Sequence, residues 1–144
     1  MIYTMGFTQK NAETFFEKIK KADIDILVDV RLNNKSQLAG FTKGQDLVYL
    51  LKEICDCKYS HEVSFAPTKE ILDGYKKGSM SWEKYEIEYT SLLKRRKVEE
   101  TFSKKFMGVE NVLFLCSEPT PEQCHRRLLA EYIGNELNIE IKHI

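Results

Sequence analysis

The sequence has no long apolar run and no excess of charge of one sign. Its apolar stretches are strand-length, far short of the roughly 20 residues that a membrane-spanning helix needs. Lys and Arg together number 22, and Asp and Glu together number 22. No overall field therefore draws the chain onto nucleic acid or an anionic membrane. We expect no membrane association, and any binding of nucleic acid must depend on a local patch.

Cysteine is also scarce, with four residues in the chain. The first residues run directly into a predicted strand, and no signal peptide precedes it. We therefore expect a cytoplasmic protein whose cysteines are reduced thiols rather than a disulfide framework. Each thiol then needs its own explanation; they are Cys55, Cys57, Cys116 and Cys124.

The chain contains neither an internal repeat nor a low-complexity linker. Its 144 residues, of which 42% are apolar and 31% charged, fall in the range of one globular domain that can bury a sizeable core. We expect residues 1–144 to form a single domain.

Four apolar segments are typical of β-strands, namely residues 2–5, 24–30, 112–116 and 139–143. Residues 26–30 and 112–116 are almost continuously apolar, as strands covered by helices on both faces must be. We therefore expect these two at the centre of a sheet. The alternating pattern of residues 139–143 suits an edge strand, and residues 57–61 are a weaker fifth candidate.

Helical patterns separate the predicted strands. Apolar residues recur at helical spacing in residues 12–22 and 47–54. Two further predicted helices, near residues 69–76 and 82–96, form an insertion ahead of the strand at 112–116. Strands that alternate with helices imply an α/β fold. We expect a mostly parallel five-stranded sheet with helices on both faces and a helical insertion before the fourth major strand region.

A last helix is predicted over residues 121–137. Thr120 can cap it, Pro121 suits its first position, and Gln123 completes a capping box. This start signal is the clearest in the sequence.

In open parallel sheets, ligands bind beyond the carboxyl ends of the strands. Asp29 and Arg31 end one predicted central strand and point to the same face. They form either an internal salt bridge or a site in which Asp29 orients Arg31 toward a phosphate or carboxylate. We favour the second interpretation because of their position.

The segment from Cys116 to Arg127 joins the other central strand to the last helix. His125 shares the apolar stripe of that helix, so it is either a core histidine or an acid, base or electrophile at the mouth of the site. Arg126 flanks the stripe and is a candidate anion contact. Glu118 is a general acid or base beside the arginines, or a solvated loop carboxylate.

Cys116 is a candidate nucleophile, although a cysteine that ends a buried strand is more often a small apolar filler. A metal ion held by Cys116, Cys124 and His125 is a further interpretation. We set it aside because adjacent residues on one helix diverge by about 100°, and we expect neither a metal nor a cofactor.

A basic run at residues 94–97, with Lys104 and Lys105, lies near the aromatic face of the predicted helix 82–96. A packed aromatic stripe with a solvated charged face explains this pattern better than a nucleic-acid surface does. Nucleic acid therefore stays a weakly supported partner.

At these polar positions the chain resembles the domain of unknown function 488 family. The resemblance implies an α/β fold and recurrent polar residues, but no established reaction. It adds Ser36 as an anion contact, and Thr4 and Cys124 as orienting residues. The shared motifs are Tyr3-Thr4-Met5-Gly6, Asp29-Val30-Arg31 with Ser36 and Phe41, Leu115-Cys116-Ser117-Glu118, Cys124-His125-Arg126-Arg127, and His143-Ile144.

Two positions depart from the family pattern. Phe7 stands where many members have histidine or tyrosine, and Asn34 stands where many have proline. If that histidine is a catalytic base in the family, the role passes to His125 in this chain.

The sequence thus favours an enzyme that acts on a small anionic ligand, phosphorylated or nucleotide-like. Arg31 and Arg126 would bind the anion, and Glu118 or His125 would move the proton. One alternative is a non-catalytic module that binds a nucleotide or nucleic acid. The other is a thiol redox protein that uses Cys116 and Cys124.

Overall fold

The computed structural model describes residues 1–35, 40–118 and 120–144. Strands and helices alternate along these residues. A π-helical turn (Leu51–Cys55) extends the second helix, and short 3-10 turns cover Gly40–Thr42 and Val63–Phe65. In chain order the elements are β1 (Ile2–Gly6), α1 (Ala12–Lys21), β2 (Ile26–Asp29), α2 (Gly44–Leu50), β3 (Lys58–His61), α3 (Lys69–Lys76), α4 (Trp82–Arg96), α5 (Val98–Phe106), β4 (Val112–Cys116), α6 (His125–Leu137) and β5 (Ile141–His143).

The five strands form one parallel sheet in the order β3-β2-β4-β1-β5. This confirms the predicted α/β fold and its helical insertion, which comprises α3, α4 and α5 ahead of β4. The fully buried strand β4 is central, because every one of its residues packs under a helix on one face or the other. The partly exposed β5 lies at an edge, as its alternating pattern predicts.

The sheet separates two apolar cores. Side chains alternate across a strand, so Leu115 packs with the residues of α1 and α2, such as Phe15, whereas Phe114 packs with those of α4 to α6, such as Leu129. We call these two sides the α1–α2 face and the α4–α6 face. No helix in the described ranges has the length and apolar character to cross a membrane.

Helix α4 of the insertion begins at a side-chain cap and ends where the backbone turns left-handed. Ser81 caps α4 by accepting a hydrogen bond from Lys84 N at 3.1 Å. Lys97 then adopts φ 52° and separates α4 from α5. The sequence prediction missed α5, whose buried Phe102 and Phe106 complete the α4–α6 core.

The prediction for the last helix is wrong at its start. Helix α6 begins at His125 rather than Pro121, and Cys124 is its N-cap in an extended conformation (φ −136°, ψ 137°). Arg127 binds the carbonyl oxygens of Pro121 and Glu122 at 3.1 and 3.0 Å. The turn before α6 is not helical, so Thr120 does not act as the N-cap.

Candidate functional site

The carboxyl ends of β2, β4 and β1 lie side by side and carry most of the polar residues that the sequence analysis singles out. Asp29 ends β2, Cys116 ends β4 and Gly6 ends β1. The chain leaves β1 and β2 toward the α1–α2 face, but it leaves β4 toward the α4–α6 face. Neighbouring strands whose connections diverge leave a crevice between them, which is the usual ligand position in open α/β sheets.

On the α1–α2 face, Asp29 holds Arg31 in a two-pronged ion pair. Arg31 Nε donates to Asp29 Oδ1 at 2.8 Å, and Nη2 donates to Asp29 Oδ2 at 2.6 Å. Nη2 also donates to the carbonyl oxygen of Thr42 at 2.7 Å, and the guanidinium carbon lies 5.2 Å from the centre of the Phe7 ring. The fork of Arg31 that would grip a phosphate is therefore already engaged by Asp29.

One donor of Arg31 is left over. The side chain is 4% exposed, and its Nη1 is buried without a hydrogen-bond partner in the described part of the chain. An unsatisfied buried donor costs about 1–3 kcal/mol. Nη1 therefore marks the point on this face where a ligand acceptor would be stabilised.

Tyr59 and Asn34 complete this network, and the sequence analysis gave neither of them a role in the site. Tyr59 Oη donates to Asp29 Oδ2 at 2.7 Å and accepts from Asn34 Nδ2 at 2.9 Å. Burial raises the pKa of Tyr59 well above its usual range, so the hydroxyl keeps the proton that it donates. The sequence signal for Tyr59 is its position in the candidate strand at residues 57–61, which pairs with β2.

On the α4–α6 face, Cys116, Cys124 and His125 form a second cluster. Both cysteines are buried, and their sulfur atoms are in direct contact. One ligand atom from each cysteine and from the imidazole of His125 lie within 4.8 Å of one another. Cys116 reaches this cluster from the end of β4, and the other two residues reach it from the start of α6.

His125 is fixed by a hydrogen bond and by ring packing. Its Nε2 lies 2.9 Å from the carbonyl oxygen of Val30, so Nε2 carries a proton and donates it. The ring meets Tyr89 edge-on with the centroids 5.7 Å apart. Burial lowers the pKa of His125 to about 4, against the raising effect of the Val30 hydrogen bond. The imidazole is therefore neutral near pH 7, and its Nδ1 has a free lone pair.

Arg126 was predicted to flank the apolar stripe of the last helix. It is almost fully buried, with 1% of the residue exposed. Its Nη1 donates to the carbonyl oxygen of Glu118 at 2.7 Å and lies 3.4 Å from Cys116 Sγ, while Nε lies 3.4 Å from Thr4 Oγ1. Burial lowers the pKa of Arg126 to about 10, while nearby Glu118 acts to raise it. The residue stays cationic at neutral pH.

The contact between Arg126 and Glu118 depends on Gly6. A Cβ at position 6 would lie 3.1 Å from Arg126 Nη1 and far inside the contact radius of the Glu118 carbonyl oxygen. Glycine lets the loop after β4 cross directly over the end of β1. This close approach gives the glycine of the Tyr3-Thr4-Met5-Gly6 motif a physical role.

Two of the remaining predicted residues lie at the same edge. Thr4 contacts Arg126 and, at 2.5 Å, His143 Nδ1, and its orienting role stays a prediction. The Glu118 side chain is exposed, near Arg126 and Tyr85. Ser36 lies outside the described residues.

The structure thus divides the predicted site residues between two centres. Asp29 and Arg31 form the arginine centre on the α1–α2 face, and Cys116, Cys124 and His125 form the cysteine centre on the α4–α6 face. Strand alternation makes this division inevitable, because Asp29 and Val30 point to opposite faces. The two centres meet at the backbone that follows β2, where His125 contacts the carbonyl of Val30 and Asp29 contacts the N–H of Arg31.

The basic run lies away from both centres and has structural partners. Arg96 donates to the carbonyl oxygens of Ser64 and Ala66 at 2.8 and 2.7 Å. Lys105 forms an ion pair with Glu62 at 2.9 Å. These contacts fix the insertion against the 3-10 turn after β3.

The fold and these centres define a parallel α/β protein with a polar edge at the carboxyl ends of its central strands. The model of the domain of unknown function DUF488 matches residues 11–133, which is most of the chain. The chain belongs to this family. It has no significant match among curated proteins or among solved structures.

Proposed function

We propose that the protein is an enzyme that acts on a small anionic substrate, phosphorylated or nucleotide-like, at the carboxyl edge of the sheet. The observation that carries this proposal is the buried, unpartnered Nη1 of Arg31. A phosphate or carboxylate oxygen accepting from Nη1 would remove the cost of the unsatisfied donor.

Further cations at the same edge support an anionic ligand. Arg126 is buried beside Cys116. Lys10, which follows β1, has a lowered pKa because it is partly buried and because Lys18 and Arg126 are close enough to repel its charge. These cations lie where substrates of this fold class bind, beside the carboxylates of Asp29 and Glu118.

Two groups are placed to move a proton. The exposed carboxylate of Glu118 lies near Arg126, and the loop that carries it crosses the end of β1. The neutral imidazole of His125 accepts a proton through Nδ1 but has none to donate from that atom. We assign proton transfer to Glu118 first and to His125 second.

The test measures stabilisation by phosphate, sulfate and common nucleotides. A ligand at 100 times its Kd stabilises the folded state by about 2.7 kcal/mol, or roughly 10 °C in Tm for a chain of this size. Arg31→Lys keeps a cation beside Asp29 but removes Nη1, so it should lose most of this gain. Arg126→Met should lose part of it. Arg127→Met is the matched control, because it removes the same charge from the next residue, whose partners are Glu131 and turn carbonyls.

Two results would contradict the proposal: no gain in Tm with any of these anions, or a gain that Arg31→Lys retains in full, as the Arg127→Met control does. Turnover of an anion that stabilises the protein then separates an enzyme from a module that only binds. Substitution of Glu118 by Gln should reduce that turnover while the gain in Tm persists.

A further inference from the structure

The geometry points to a metal site: we propose that Cys116, Cys124 and His125 together bind one thiolate-preferring divalent ion, with Zn²⁺ as the first candidate. Cysteine sulfur and histidine nitrogen are the donors that zinc prefers in proteins. The site goes beyond the anionic substrate, because neither Arg31 nor Glu118 is a ligand. It shares His125 with the proposed function, and a metal on Nδ1 would leave proton transfer to Glu118.

The three ligand atoms are already gathered. They lie within 4.8 Å of one another, whereas a tetrahedral zinc ion with bonds of about 2.0–2.3 Å holds its ligands roughly 3.3–3.8 Å apart. Side-chain rotations that separate the two sulfur atoms, which are now in contact, would let all three atoms bind one ion.

A disulfide fits the same cysteines less well. The Cα atoms of Cys116 and Cys124 are 7.8 Å apart, beyond the span of roughly 4.4–6.8 Å that disulfides usually bridge. The two Cα atoms are therefore spaced more widely than in most disulfides. An ion between the sulfur atoms would make a longer bridge, which suits this spacing.

The start of α6 permits Cys124 and His125 to share an ion. Two neighbours inside a helix diverge, but Cys124 is the N-cap and its backbone is extended. Its side chain makes no capping hydrogen bond, so the sulfur is free to point toward Cys116. Because α6 starts at His125, Cys124 and His125 are not neighbours inside a helix, and the expected divergence of their side chains does not apply.

The groups around the ligands suit a bound cation. His125 Nε2 donates to the carbonyl oxygen of Val30, which orients the ring and leaves Nδ1 as the metal-binding nitrogen. Such outer hydrogen bonds are the usual support of histidine ligands. Arg126 Nη1 lies 3.4 Å from Cys116 Sγ, and the amino end of α6 lies beside Cys124. Both favour buried thiolates.

Three protein ligands leave a fourth position for water or a substrate atom. Structural zinc sites usually have four protein ligands, whereas catalytic sites have three. The proposed site therefore has the composition of a reactive centre, at the strand ends where ligands of this fold class bind.

The test uses the full chain, reduced and stripped of metal with a chelator, then titrated with Co²⁺ as a spectroscopic probe and with Zn²⁺ against a chromophoric chelator. We expect one ion per chain, a thiolate-to-cobalt absorption band, and a rise in Tm with Zn²⁺. Cys116→Ser, Cys124→Ser and His125→Gln should each weaken Zn²⁺ binding by more than the 10–100-fold that loss of an outer-shell partner typically costs.

Cys57→Ser is the matched control, since Cys57 is also buried but lies against the α1–α2 core; it should retain the full titration. The proposal is wrong if the reduced wild-type protein binds neither ion. It is equally wrong if Cys57→Ser weakens binding as much as Cys124→Ser does, or if the reduced protein binds no metal but oxidises to a Cys116–Cys124 disulfide. Because the wild-type titration decides the matter, a variant that fails to fold does not obscure it.

Discussion

The arginine centre and the cysteine centre occupy the same edge of the sheet but are stabilised in different ways. In the arginine centre, Asp29 receives hydrogen bonds from Arg31 and Tyr59, so opposite charges are paired within the protein. The cysteine centre brings together three electron-pair donors, the two sulfur atoms and the imidazole nitrogen. The cation that contacts them is Arg126. The first centre is largely complete without a ligand, whereas the second gathers groups that a cation would hold together.

This comparison predicts that the arginine centre is the more sensitive to substitution in the protein without ligands. Asp29→Asn leaves the buried guanidinium of Arg31 without its counter-charge. Breaking a buried ion pair in this way typically costs 3–5 kcal/mol, so we expect a loss of about that size. Urea unfolding followed by circular dichroism measures it.

The matching change in the cysteine centre is Cys124→Ala in reduced, metal-free protein. It should cost about 1 kcal/mol, the transfer free energy of a small buried apolar group. If Asp29→Asn is no more destabilising than Cys124→Ala, the contrast between the two centres is wrong.

The close approach of Gly6 to the loop after β4 gives the second largest expected loss of stability. In Gly6→Ala the new Cβ must displace the backbone of Glu118, and overpacking of this kind typically costs 1–3 kcal/mol. The displacement should also weaken anion binding, because Arg126 Nη1 donates to the same carbonyl group. Thermal unfolding and the phosphate titration measure the two consequences.

Gly108→Ala is the control for Gly6→Ala, since a Cβ there meets nothing within 4 Å. It should leave Tm unchanged or raise it slightly, because alanine restricts the unfolded chain more than glycine does. Equal destabilisation by both substitutions would argue that no close approach exists at Gly6.

A smaller effect within the arginine centre concerns Tyr59. Tyr59→Phe removes one hydrogen bond to Asp29 but keeps the ion pair with Arg31, so the loss should be about 1–2 kcal/mol. It should therefore be clearly smaller than the loss from Asp29→Asn. Comparable losses would show that the hydroxyl, and not the guanidinium, stabilises the carboxylate.

Much of the fold could be predicted because the apolar pattern reports burial directly. The continuous apolar run of β4 requires helices on both faces of the strand, which predicts a central position. The alternation in β5 requires one solvent-exposed face, which predicts an edge. Both strands lie where these patterns predict. The break at Lys97 could not be predicted, because nothing in a lysine indicates a left-handed backbone. Without that break, α5 is not distinguishable from a continuation of α4.

The site was predictable as a set of residues but not as an arrangement. The position of Asp29 and Cys116 at strand ends follows from the strands themselves. Thr120 has the chemistry of a capping residue, yet α6 begins only at His125. Arg127 binds carbonyl oxygens of the non-helical turn before it, and a local capping signal carries no information on such contacts. The apparent divergence of Cys124 and His125 followed from that error.

One peptide group joins the two centres. The carbonyl of Val30 accepts from His125 Nε2, and the N–H of the same peptide unit, which belongs to Arg31, donates to Asp29 Oδ1 at 3.2 Å. The imidazole, this peptide and the carboxylate therefore form a continuous polarised chain that crosses the sheet, and hydrogen bonds in such chains strengthen one another. Withdrawal of electron density from the His125 ring makes Nε2 a stronger hydrogen-bond donor to the carbonyl of Val30. The polarised peptide then has a more strongly donating N–H. This N–H binds Asp29, the carboxylate that orients Arg31 on the other face.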